Sequence, residues 1–162
     1  MAVDINKLEV PLDYNRPSGP RVILSMLRPS AQANSTNGPN QGMLLFNPAR
    51  TGTPSTQLFL SGEGEQLQEI FGTNWDFVTF DPRGVGYASP SANCTDYGDA
   101  SLERRSERLT GPDLDQGFFH HSTAVAIDML MLAEAFKQTR QGKTAPTSDL
   151  VNYLGFSCGT LG

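Results

Sequence analysis

The chain has 162 residues, of which 38% are hydrophobic and 18% charged, a composition that supports a packed core and excludes global disorder. Its formal net charge is −5 and its pI about 4.9. Without a Lys/Arg cluster it lacks the cations that phosphate backbones and anionic membranes require, so neither is expected as a partner. No apolar run approaches the roughly 20 residues of a membrane-spanning helix.

The length fits one domain, yet falls short of the roughly 200–250 residues usual for an α/β domain of the kind read below. The start, Met1 to Lys7, has no apolar core of a secretory signal, and the compartment stays open. Asn34-Ser35-Thr36 and Asn93-Cys94-Thr95 are sequons that matter only on an exported chain. Cys94 and Cys158 are too few for a disulfide framework or a zinc site. No metal and no cofactor is expected.

In chain order, Lys7 to Leu12 reads as a strand that closes at the turn-rich Asp13-Tyr14-Asn15-Arg16-Pro17. Arg21 to Leu27 is a second strand, and a tight turn between the two predicts an antiparallel hairpin at a sheet edge. Ser30 to Gln41, rich in Asn, Ser, Gly and Pro, is a loop. Met43-Leu44-Leu45-Phe46, bounded by Gly42 and Pro48, is a short strand buried on both faces. Glu63 to Phe71 predicts a helix with Leu67, Ile70 and Phe71 on its apolar side and Gly72 as its stop. Trp75 to Phe80 is the next strand, closed by Asp81-Pro82-Arg83-Gly84 as a type I turn.

Val85 to Gly117 is polar and irregular, apart from a short charged helix at Leu102 to Leu109. Thr123 to Arg140 is a strong helix, with Val125, Met129, Leu132 and Phe136 in one stripe. Gly142 to Pro146 breaks it, and Leu150 to Leu154 is a last strand. The alternation of strand and helix from Met43 implies crossovers and a mostly parallel sheet flanked by helices. The chain is therefore read as a single α/β domain over residues 1–162.

The last strand runs into Gly155-Phe156-Ser157-Cys158-Gly159, a G-x-S-x-G. Standing alone, the pattern is as easily a loop punctuated by small residues. Between a buried strand and a helix start it describes a nucleophile elbow, in which a strained turn lifts the serine Oγ above the sheet. Gly155 and Gly159 remove the Cβ atoms that would collide in so tight a turn. Ser157 is the candidate nucleophile. A helix beginning there would aim its positive end at developing negative charge.

With Ser157 in position, the chain resembles one branch of the α/β-hydrolases, the tripeptidyl-aminopeptidase-like and proline-iminopeptidase-like serine hydrolases. Four stretches carry the likeness: Val10-Pro11-Leu12-Asp13-Tyr14, Leu44-Leu45-Phe46-Asn47-Pro48, Phe80-Asp81-Pro82-Arg83-Gly84-Val85-Gly86 with its D-x-R-G-x-G, and Asn152 to Thr160 around the elbow. The resemblance implies an α/β-hydrolase fold of which this chain is the N-terminal half. It implies a peptide or ester substrate, and members of the branch are often secreted. Cys158, where the branch usually has Tyr, and Arg50 would offer their backbone N–H groups to an oxyanion. Asp81 and Arg83 would brace loops beside the site.

The sequence departs from the branch after Asn47-Pro48, where Ala49-Arg50-Thr51-Gly52 replaces Gly-Gly-Pro-Gly. Arg50 either carries positive charge toward an anionic substrate or disables the oxyanion hole. His120 and His121 precede the serine, against the hydrolase order of Ser, acid, His, and read as helix-start residues. Cys94 reads as a free or exposed thiol. No Asp/His pair follows Ser157 within residues 1–162. The expectation is thus a hydrolase segment inactive by itself, or else a non-catalytic binding or assembly module that pairs its open sheet edge with another chain.

Overall fold

The computed structural model describes residues 3–29, 31, 38–48, 54–90 and 122–156. Strands β1 (Val3–Pro11) and β2 (Arg21–Pro29) form the leading hairpin, paired antiparallel from Val3 opposite Pro29 to Pro11 opposite Arg21. Both strands run two or more residues beyond the sequence reading. Their connection spans residues 12–20 rather than a tight turn. Leu12 N–H donates to the Pro20 carbonyl at 2.8 Å, and Asp13 holds the Asn15 N–H and the Arg16 guanidinium, each at 2.9 Å.

Strand β3 (Gly42–Asn47) is buried throughout. After it come helix α1 (Ser55–Leu58), a segment over Phe59–Glu63 that kinks at Gly62, and helix α2 (Gly64–Phe71). Strand β4 (Trp75–Phe80) keeps the bounds read from the sequence. Helix α3 (Ser122–Lys137), the short helix α4 (Arg140–Thr144) and strand β5 (Asn152–Gly155) complete the described elements. The five strands form one sheet in the order β1-β2-β4-β3-β5. β3 is parallel to both β4 and β5, and β2 is antiparallel to β4. The sheet is mixed and flanked by helices, the α/β class expected.

Alternation along β3 explains why its sequence is continuously apolar. Met43 and Leu45 join Val10, Val22, Leu24, Val78 and Phe80 under the Met129, Leu132 and Phe136 stripe of α3. Leu44 and Phe46 face the other way, against Phe59, Leu67 and Phe77. A strand between two helical layers has no polar side to show.

Three local readings are corrected. On α2 only Leu67 of the expected trio is buried, while Ile70 is 73% and Phe71 41% exposed. Gln68 takes the inward place beside Leu67, on a helix that restarts after a kink at Gly62, φ 116°. Gly142 does not break the chain after α3. It lies inside α4, where Thr139 Oγ1 accepts its N–H at 3.0 Å as an N-cap. The last strand starts later than read, since Leu150 and Val151 are exposed and unpaired by the β3 register. The charged helix at 102–109 and the sequons lie outside the described residues.

Candidate active site

Because β3, β4 and β5 run parallel, their C-terminal ends meet at one rim of the sheet. Asn47 stands opposite Gly155, and Phe156 N–H donates to the Asn47 carbonyl at 3.1 Å, extending the ladder one rung past β5. The chain is therefore still paired to β3 at Phe156. The ring of Phe156 meets Phe46 edge-on at 6.0 Å between centroids, a contact of about 0.5–1.5 kcal/mol beyond area burial. A groove of about 490 Å³ opens beside it, lined by Phe46, Pro48, Leu67, Ile70 and Phe156, with Glu63 and Gln66 as polar members. Tyr153, on the opposite face, hydrogen-bonds to the Asn47 side chain, and burial raises its phenol pKa above the usual 10.0.

The D-x-R-G-x-G stretch follows β4 at the same rim. Its turn is not the type I turn over Asp81–Gly84: Val85 N–H closes onto the Pro82 carbonyl at 2.9 Å, one residue later. Gly84, third in that turn, has φ 78°, the conformation of a type II turn, which favours glycine. Val85 to Pro90 then turns back along β2, where Ile23 and Ser89 exchange backbone bonds at 2.8 and 2.9 Å.

Each defining residue of the stretch has a separate task. Asp81, fully buried, accepts the Thr56 N–H at 3.0 Å and the Tyr87 N–H at 3.0 Å, with the Thr56 hydroxyl 2.9 Å away. Gly86 gives that carboxylate room: a Cβ there would stand 2.4 Å from Asp81 Oδ2 and 2.8 Å from Pro54 Cβ. Arg83 turns to the other side. Its guanidinium grips Asp128 of α3 at 2.6 and 2.7 Å and donates to the Leu12 and Pro11 carbonyls at 2.8 and 2.9 Å. It also lies 5.2 Å from the Tyr14 ring centre, and the Tyr14 hydroxyl donates to Asp128. Burial, then the Asp128 bond and charge, push the Tyr14 pKa upward.

Sequence reasoning missed Asp128. Its signal was present, since Val125, Asp128 and Leu132 fall at i, i+3 and i+7 of one stripe, and a carboxylate inside an apolar stripe demands a cation. Thr56 and Tyr14 gave no comparable sign. Of the residues singled out from the sequence, Gly155, Asp81 and Arg83 stand at this rim. Ser157, Cys158, Gly159, Arg50, His120, His121 and Cys94 lie outside the described residues. Among the described residues no three His, Cys, Asp or Glu side chains gather as a metal site, and no helix is long and apolar enough to cross a membrane.

No family model matches the chain. Its relatives are more informative. Over 174 aligned positions it is 29% identical to the serine protease Hip1 of Mycobacterium tuberculosis H37Rv, covering 95% of this chain and 31% of that protein. It is 26% identical over 166 positions to the tripeptidyl aminopeptidase of Streptomyces lividans, covering 93% and 30%. To carboxylesterase B of Mycobacterium tuberculosis H37Rv it is 30% identical over 98 positions, covering 60% and 18%. The chain is similar in sequence to enzymes named as a serine protease, an aminopeptidase and a carboxylesterase.

The chain spans about a third of the length of the first two of these relatives. The likeness read from its four motif stretches is therefore a relationship, and it includes a tripeptidyl aminopeptidase. Three of those stretches, ending at Tyr14, Pro48 and Gly86, are bound together by Arg83 and Asp81 or end at the same rim. The fourth leads out of β5.

Proposed function

We propose that the chain carries the nucleophile of a serine hydrolase acting on peptide or ester bonds, with Ser157 forming the acyl-enzyme. The observation that carries this reading is the Phe156–Asn47 rung. Gly155 and Phe156, the first two residues of the G-x-S-x-G, thereby leave a parallel strand beside the end of β3. An elbow needs that setting. The Oγ would attack the carbonyl carbon while its proton passes to a base, and the backbone N–H groups of Cys158 and Arg50 would hold the oxyanion. Relatives named as a serine protease, an aminopeptidase and a carboxylesterase support acyl transfer as the shared chemistry. The substrate would be a small peptide or ester.

A serine hydroxyl is a weak nucleophile without a base and a third group to orient it. The proposal assigns both to residues outside 1–162. The 162-residue chain alone should then be inert. A fluorophosphonate probe, applied to the protein as its host makes it and followed by peptide mapping, tests the reading. The expected adduct is on the peptide carrying Ser157, and Ser157→Ala abolishes it. An adduct on another serine, or none, would overturn the assignment. Labelling of the isolated chain would refute the need for an external base.

A further inference from the structure

We propose that the groove beside Phe156 receives the acyl group of the substrate, and that Phe156 and Ile70 make it select apolar, uncharged chains. The inference rests on the reading of Ser157 just given and adds to it the class of acyl group. Three parts of the fold build the groove: Phe46 and Pro48 at the end of β3, Leu67 and Ile70 on α2, and Phe156 on the rung beyond β5. Its volume of about 490 Å³ falls within the roughly 300–1,000 Å³ of small-molecule pockets. Covalent geometry sets its distance from the nucleophile. Ser157 follows Phe156 in the chain, and consecutive Cα atoms stand about 3.8 Å apart across a trans peptide. Phe156 is itself held by its N–H bond to Asn47 and its edge-on contact with Phe46. A chain of several carbons bonded to the Ser157 oxygen therefore reaches that wall.

The lining decides what enters. Phe46 and Leu67, both buried, belong to the core beneath, so packed side chains keep the groove in shape. Phe156 is 51% and Ile70 73% exposed, apolar area that leaves water only when another apolar group covers it. None of the lining residues is a cation, and the polar members are Glu63 and Gln66. The stretch from Ser55 to Phe71 that supplies them has three Glu and no Lys or Arg. An anionic acyl chain would meet that negative field without a counter-charge, whereas an alkyl chain or an aromatic ring covers both side chains without electrostatic penalty. The acyl part is the relevant occupant because it stays on the serine through both halves of the reaction, while the leaving group departs after the first.

The test compares labelling of Ser157 by fluorophosphonates whose phosphorus carries an ethyl, an n-octyl or an ω-carboxyheptyl chain, in the protein as its host makes it. The octyl probe should label roughly 10- to 100-fold faster than the ethyl probe, through KI rather than kinact, because its extra methylenes leave water. The carboxyheptyl probe should fall roughly 10-fold below the octyl one. Phe156→Ala and Ile70→Ser should each lower the octyl-to-ethyl ratio roughly 3- to 10-fold. Taking the ratio cancels any effect of Phe156→Ala on the serine itself, and Ile70→Ser, at an exposed position, carries the test should Phe156→Ala not fold. Ile70→Lys supplies a cation and should narrow the gap between the carboxyheptyl and octyl probes. Leu130→Ser removes an exposed leucine from α3, on the opposite face of the sheet, and should keep the wild-type ratio. Equal ethyl and octyl rates in the wild type overturn the inference and leave Ser157 as the nucleophile. That is also the result if another segment or a partner fills the groove. A wild-type ratio in Phe156→Ala or in Ile70→Ser overturns it too, as does an unchanged gap in Ile70→Lys or an equal loss in Leu130→Ser. Absence of labelling at Ser157 by every probe overturns the parent reading together with this one.

Discussion

Arg83 and Asp128, 45 residues apart in the chain, form a fully buried two-point ion pair, Nε to Oδ2 at 2.6 Å and Nη2 to Oδ1 at 2.7 Å. The pair fastens helix α3 to the turn after β4, and the remaining guanidinium N–H groups fasten the hairpin through the Pro11 and Leu12 carbonyls. Removing one partner leaves the other charged and buried. Asp128→Asn and Arg83→Met should each lower unfolding free energy by about 3–5 kcal/mol, read from urea titrations. A cost under about 1 kcal/mol would mean the pair contributes no more than a surface bridge.

Gly86 should tolerate no side chain. Its φ of 57° and the 2.4 Å approach of a Cβ to Asp81 Oδ2 both act against Gly86→Ala. The expected loss is about 1–3 kcal/mol from the backbone conformation alone, with the clash added. Thermal unfolding checks this, and an unchanged Tm would contradict the geometry.

Alkaline pH should destabilise the fold through Tyr14. Its folded-state pKa is raised by burial and by Asp128, above an unfolded value near 10.0. The contribution is thus fully present below about pH 10 and is lost as pH rises toward the folded pKa. Unfolding free energy measured between pH 8 and pH 11, a range chosen as roughly bracketing that value, should fall at the upper end. Tyr14→Phe should flatten the fall, leaving the smaller share due to Tyr153. An equally steep fall in Tyr14→Phe would assign the effect elsewhere.

The two faces of α2 should respond oppositely. Leu67→Ala, in the core beside Phe46 and Phe77, should cost about 2–5 kcal/mol. Ile70→Glu, at a side chain 73% exposed, should stay within about 0.5 kcal/mol. Comparable losses from the two would restore the apolar stripe expected from sequence.

Much of this architecture was legible in the residues. The all-apolar Met43–Phe46 run could only be a strand between two layers, and the 125, 129, 132, 136 spacing could only be a helix facing a core. What escaped reading depends on partners distant in sequence. Ile70 follows the helical period as well as Leu67 does, and only the direction of α2 after the kink at Gly62 decides which of them meets the sheet. The turn at Asp81 reads as type I from local composition, yet the Asp81 side chain is engaged with Thr56 and Tyr87, and the backbone closes one residue later. The rim of the site was legible as a motif. Its internal division of labour, with Asp81 turned to α1 and Arg83 to α3, was not, because α1 and Asp128 enter it only through the tertiary fold.

The strand order also sets a timetable for the growing polypeptide. β4 closes one flank of β3 soon after it is made, whereas the other flank waits for Asn152, whose amide binds the Met43 carbonyl 109 residues earlier. At roughly 5–20 residues per second on the ribosome, those 109 residues take on the order of 5–22 seconds to translate. For that interval Leu44 and Phe46 sit beside an unfilled row of backbone donors and acceptors. Strand β5 is the piece that seals that flank, so this end of the rim closes only after helix α3 has been made.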